Sequence, residues 1–250
     1  MKLRFTRLQV AAHIGSWLPA ALLTWDYYHS NLTVDPIQAL TQRTGKYALV
    51  LLVLSLACTP INYLFGFHQV LKIRRALGVY AFLYATAHLL IFIGLDYGFD
   101  WTQLKNIILK QPFALVGLAA FLILLPMAIT SFKWWMKYLG KNWKRLHRLV
   151  YLAVVLVILH YAWSLKGDIF RLQGNIGQPI LFGAIVLVLL ALRLKPVHVI
   201  VDKIRLALSH RHAAVIRHRT GSVRHEMRSV NIADHESLVT DLESSPTTLP

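Results

Sequence analysis

Apolar positions along this chain come in blocks rather than singly. A helix that crosses the hydrocarbon core of a bilayer needs about 20 mainly apolar residues. Six stretches qualify, at 8–25, 47–65, 76–95, 113–132, 147–164 and 178–194. They predict an all-α integral membrane protein, a six-transmembrane-helix bundle. The first block follows Lys2, Arg4 and Arg7 and has the layout of a signal peptide. It is long for one, lacks a convincing small-residue cleavage site and carries His13, so it is read as an uncleaved helix.

The polar segments between the blocks alternate in charge. The N-terminus, the segment with Lys72, Arg74 and Arg75, and the run Lys133, Lys137, Lys141, Lys144 and Arg145 are strongly basic. Segments 26–46, 96–111 and 165–177 are mixed, with Asp26, Asp35, Asp96, Asp100 and Asp168 offsetting their bases. The excess of Lys and Arg on one side predicts that both termini are cytoplasmic. It also predicts that the blocks at 76–95 and 147–164 run in parallel, from the cytoplasm outward. From Pro196 the pattern changes. Val197, Ile200, Val201, Ile204 and Leu208 recur at helical spacing among Lys203 and Arg205, the pattern of a surface amphipathic helix. A polar, His-rich and finally acidic tail follows, of a composition that predicts disorder. The expected organisation is a membrane domain over 1–195 and a cytoplasmic segment over 196–250.

Composition agrees with the pattern. Apolar residues make up 56% of the 250, charged residues only 15%, and mean hydropathy is +0.50. The formal charge of +16 would suggest nucleic acid in a soluble protein. Here the bases adjoin apolar blocks, where they orient helices and meet anionic lipid, so membrane lipid is the expected partner and nucleic acid is not. Cys58 is the single cysteine, inside an apolar block, which excludes a disulfide framework, a thiolate zinc site and a CxxCH heme attachment.

Histidines inside apolar blocks are costly and usually face the interior of a bundle for a functional reason. His88 lies in YATAHLL, His160 in VILHYAW, and His147 in KRLHRLVY at the inner end of the same block as His160. His88 is twelve residues beyond Ala76 and His160 thirteen beyond His147. At about 1.5 Å per residue, both lie some 18–20 Å from the inner ends of two parallel helices. Neutral imidazole suits iron, and two imidazoles from facing helices make a six-coordinate heme of the b type, held by side chains alone. The plain alternative is that each histidine only donates a hydrogen bond within the bundle. His147 would lie about 140° from His160 on an ideal helix, so the two need not share a face. Level with His147 stand Arg74 and Arg75, suited to heme propionates, to a flavin phosphate or simply to anchoring at the inner surface. His13, near the inner end of the first block, is a further candidate partner for His147. The tail histidines His210, His212, His218, His225 and His235 are too irregularly spaced to define a metal site.

Several short strings then fall into one order: Asp35-Pro36, Thr44-Gly45 with Ala48-Leu49, Thr59-Pro60, Arg74-Arg75 with Leu77-Gly78, and Thr130-Ser131. Leu139-Gly140, Trp143, Leu146-His147, Leu149-Val150-Tyr151, His160-Tyr161, Trp163-Ser164 and Lys166 continue it. In this order and spacing, over residues 10–195, the chain resembles the ferric-reductase-like transmembrane family. Within that family it is similar to heme-binding membrane subunits of methionine sulfoxide reductase systems. The resemblance implies heme ligands at His88, His147 and His160, with one or two hemes b. It implies a bacterial cytoplasmic (inner) membrane protein that delivers electrons to a periplasmic molybdopterin subunit reducing methionine sulfoxide in proteins. Quinol, or reduced flavin from a cytosolic flavin reductase, is the implied donor, which leaves FMN and quinone open as further cofactors. The tail after Pro196 is longer than the family usually carries. No G-x-G-x-x-G follows a strand, so the chain is expected to be an electron-transfer subunit that does not take hydride from NAD(P)H by itself. The rival readings are a stand-alone ferric or cupric reductase, a transporter with a histidine proton relay, and an assembly subunit.

Overall fold

The computed structural model describes residues 6–164, 177–194 and Lys203. The chain divides into two compact units, Met1–Arg193 and Leu194–Pro250, and the described structure lies almost wholly in the first. The expected outer segment 165–177 and the amphipathic helix and tail from 196 fall, apart from Gly177 and Lys203, outside the described residues. Every regular element described is helical. In chain order these are α1 (Arg7–Tyr28), α2 (Pro36–Phe65), α3 (Val70–Ile91), which runs into a π-helical turn at Phe92–Asp96, and α4 (Trp101–Lys110). Then follow α5 (Pro112–Ile129), α6 (Lys133–Leu139), α7 (Lys141–His147), α8 (Val150–Ser164) and α9 (Gly177–Ala191).

Among the described residues, four helical segments are long and apolar enough to cross a membrane: Pro36–Phe65, Val70–Asp96, Pro112–Ile129 and Lys141–Ser164. Two of the six expected spans do not reach that measure. α1 has 22 residues but carries His13, Ser16, Thr24 and Asp26, and α9 has 15.

The sequence pattern misplaced several boundaries. Residues 36–46 are helical, not loop, because Asp35 caps α2, accepting from Gln38 N at 2.9 Å, and Pro36 sits where a missing N–H costs nothing. The segment 96–111 holds α4, capped by Asp100, which accepts from Thr102 N and Gln103 N. Those bonds, with one from the Gln103 side chain, hold the Asp100 carboxyl below its usual range. The expected continuous helix over 147–164 is interrupted. α7 stops at His147, and Arg148 and Leu149 form a tight turn bonded back to Arg145 and Leu146 before α8 begins. The angle expected between His147 and His160 on one ideal helix therefore does not apply.

Leu49, Leu52 and Leu56 of α2 pack with Leu77, Ala81 and Tyr84 of α3, Leu124 of α5, and Ala153 and Val154 of α8, the last two fully buried. Large apolar side chains also point outward, among them Trp17, Leu122 and Leu187. Large apolar residues on the outer surface as well as in the core suit a bundle surrounded by lipid.

Candidate functional site

His88 reaches from α3 to α2, where its Nδ1 lies 2.8 Å from the Thr41 carbonyl oxygen. His160 reaches from α8 to α5, where its Nδ1 lies 2.8 Å from the Phe113 carbonyl oxygen. A carbonyl oxygen only accepts, so in both rings Nδ1 carries the hydrogen and donates it. In the neutral ring Nε2 is then left with its lone pair. This is the arrangement by which an outer hydrogen bond fixes the tautomer of a metal-binding histidine.

Each ring rests against a glycine of the partner helix. A Cβ added at Gly45 would lie 3.1 Å from His88 Nδ1, and one at Gly117 would lie 2.6 Å from His160 Nδ1. The two halves are built alike, since each histidine stands 47 residues beyond the carbonyl it binds.

The rings meet in the bundle interior with centroids 5.9 Å apart and planes at 82°. Two neutral imidazoles with Nε2 free at this spacing would suit a heme iron, which His88 and His160 would hold between them. The depth match read from the sequence for His88 and His160 agrees with this meeting.

At the other end, His147 closes α7. Its ring stacks on Trp143 with centroids 4.0 Å apart, and Nδ1 lies 3.2 Å from the Trp143 carbonyl. Trp143 Nε1 donates to Thr130 O at 2.9 Å, tying α7 to the end of α5. Arg74 of α3 lies within electrostatic reach of His147, as their levels in the sequence suggested. Arg75 is exposed, and its Nη1 lies 3.6 Å from Met136 Sδ. His13 turns toward α3, with Nδ1 2.9 Å from Tyr80 Oη. The structure therefore brings His88 and His160 together, sets Arg74 near His147, and directs His13 to Tyr80.

The sequence reading missed Thr41, Gly45, Phe113 and Gly117. The available signal was an isolated glycine inside each helical pattern, which marks a close approach. Among the described residues no group of three or more His, Cys, Asp or Glu side chains is placed to hold a metal ion. Three of the carboxylates expected on the outer side have structural partners: Asp26 pairs with Arg43, while Asp35 and Asp100 cap helices. Asp168 lies outside the described residues.

A helical membrane bundle with two facing histidines is one setting in which this geometry is expected, and residues 44–158 match the family described as the ferric reductase like transmembrane component. Over 187 residues the chain is 42% identical to the protein-methionine-sulfoxide reductase heme-binding subunit MsrQ of Xanthomonas axonopodis pv. citri (strain 306), covering 72% of this chain and 83% of the relative. It is 39% identical over 189 residues to the subunit of the same name from Rhodospirillum rubrum, covering 75% and 88%. No solved structure matches the chain. The chain belongs to the MsrQ family of ferric-reductase-like transmembrane proteins.

Proposed function

We propose that this protein binds heme b between His88 and His160 and carries electrons across the bilayer to an extracytoplasmic reductase. One observation carries the reading: both intramembrane imidazoles are tethered through Nδ1 to a backbone carbonyl and stand 5.9 Å apart. A bound heme supplies one-electron redox chemistry. The chain's own part is to present Nε2 from two sides, to hold both rings against rotation, and to keep water from the site with the apolar faces of α2, α3, α5 and α8.

The partner reading follows the relatives, whose name makes them subunits of a protein-methionine-sulfoxide reductase. The acceptor is then a periplasmic molybdopterin subunit, and the membrane is the bacterial inner membrane. Six spans with cytoplasmic termini, a membrane domain over 1–195 and a cytoplasmic segment over 196–250 complete the arrangement. At the basic end, His147 and Arg74 mark where electrons arrive from quinol or a flavin reductase. A second heme there would use His147 as ligand, and FMN would use the cations of Arg74, Arg75 and Arg145. A stand-alone ferric or cupric reductase would need free outer carboxylates, and three of those expected there, Asp26, Asp35 and Asp100, are engaged.

The test is a reduced-minus-oxidised spectrum of purified protein with His88→Ala and His160→Ala beside wild type. Each variant should insert normally and lose most of the low-spin heme signal. Wild-type heme content and spectrum in both variants would refute the ligand assignment.

A further inference from the structure

The end of the bundle opposite the paired histidines holds, beside Arg74, polar groups that the proposed function leaves unused. Pro60 lies inside α2 and has no N–H for the carbonyl of Leu56, four residues earlier. Arg193, just beyond α9, takes that place: its Nη2 donates to Leu56 O and its Nη1 donates to Tyr151 Oη at 2.8 Å. Beside Leu56, Ser55 Oγ donates to the backbone carbonyl of Arg74 at 2.8 Å. Two cationic residues therefore flank one turn of α2, within electrostatic reach of each other.

Among the described residues, three buried polar atoms here have no hydrogen-bond partner: Arg193 Nε, Thr59 Oγ1 and Asn62 Oδ1. Buried polar groups are normally satisfied, so three orphans on neighbouring turns need a reason. Asp26, Asp35, Asp96 and Asp100, the acids among the described residues, all sit at the opposite end of the bundle. Like charges in a medium of low dielectric repel strongly unless an anion lies between them.

We infer that Arg193 and Arg74, with Thr59, hold one acidic group, a phosphate or carboxylate, at the basic end of the bundle between α2, α3 and α8. Arg193 donates one hydrogen from each terminal nitrogen, to Leu56 and Tyr151, and its buried, unpartnered Nε–H is available to an oxyanion. The Thr59 hydroxyl adds a neutral donor. The unpartnered atom of Asn62 is the acceptor Oδ1, so that side chain adds no donor to the acid. The site stands whether or not a heme joins His88 and His160. Its acid comes either from an anionic phospholipid or from a cofactor bound near His147, and both offer the same oxygens to the guanidinium.

The experiment uses the full-length protein in nanodiscs of phosphatidylcholine alone or with added phosphatidylglycerol. It compares wild type with Arg193→Gln, Arg193→Lys and Thr59→Val, and reads retained phosphatidylglycerol, flavin and heme content, and the thermal unfolding midpoint. If the acid is a lipid, wild type retains phosphatidylglycerol and gains stability from it. Arg193→Gln then loses about tenfold in retention and Thr59→Val a smaller factor. If the acid belongs to a cofactor, lipid composition has no effect and Arg193→Gln loses flavin, or loses heme beyond the share bound by His88 and His160. Arg193→Lys keeps the charge without the fork and falls between. Should Arg193→Gln fail to insert, Thr59→Val and Arg193→Lys decide alone. Unchanged lipid retention, cofactor content and stability in the inserted variants would overturn the inference.

Discussion

Gly45 and Gly117 set how near each imidazole comes to the backbone of the adjoining helix. The two positions are not equally tight. A methyl group at Gly117 would lie 2.6 Å from His160 Nδ1 and 2.8 Å from Cε1, closer than packed atoms tolerate. At Gly45 the nearest approach is 3.1 Å, which a small ring shift relieves. Gly117→Ala should therefore push His160 off the Phe113 carbonyl and remove most of the low-spin heme signal, whereas Gly45→Ala should keep much of it. Helix propensity acts in the opposite direction, since alanine favours a helix over glycine by about 1 kcal/mol. Heme content and thermal unfolding should consequently separate: Gly117→Ala loses heme without losing helix content by circular dichroism. Equal heme content in Gly117→Ala and wild type would contradict the close packing of that ring.

Helices supply what no single residue can. His88, His147 and His160 were legible in the sequence because an imidazole in an apolar block stands out by cost alone. The matched depth of His88 and His160 was legible because helical rise is near constant. The tethers were not. Thr41 and Phe113 act through backbone carbonyls, which every residue has, and Thr41 lies in a stretch whose polar Gln42, Arg43 and Lys46 made it look like loop. The break between His147 and Val150 was equally hidden, since nothing in Arg148-Leu149 resembles a turn signal. Pro60 was quoted only as part of a string, yet it frees the Leu56 carbonyl that joins the end of α9 to α2. Pro60→Ala restores an N–H to α2, which competes with Arg193 for that carbonyl. Backbone amides in the last turn of α9 should then exchange with deuterium faster than in wild type, with the signal of a heme at His88 and His160 unchanged. Identical exchange in the two proteins would mean that the Arg193 bond contributes little to holding α9.

Within the bundle, the paired histidines lie at one end and Arg74, His147 and Arg193 at the other, so the transmembrane electron carriage proposed above would have to bridge the two. Removing residues after Lys195 tests how far the tail takes part: the described site draws on α2, α3, α5 and α8, and the truncated protein should keep its heme spectrum. The route inward is the sharper question. His88 stands fourteen residues beyond Arg74 on one helix, about 21 Å at helical rise, and His160 is separated from His147 by most of α8. Neither of the paired histidines is near the basic end. A donor on that side, as proposed, would need an intermediate carrier, and the place proposed for it is beside His147, whose ring is fixed by stacking on Trp143 and by the bond to its carbonyl. His147→Ala should leave the spectrum of a heme at His88 and His160 in place, because α8 begins only at Val150 and does not need that side chain. Dithionite in detergent solution reaches the heme from either side and should still reduce it fully. Reduction by the physiological donor should fall by at least about tenfold, a barrier increase of roughly 1.4 kcal/mol. Loss of flavin together with that slowing identifies the inner carrier as flavin, and loss of a second heme signal identifies it as heme. A wild-type rate with the physiological donor in His147→Ala would show that electrons reach the paired histidines by a route that does not pass this residue.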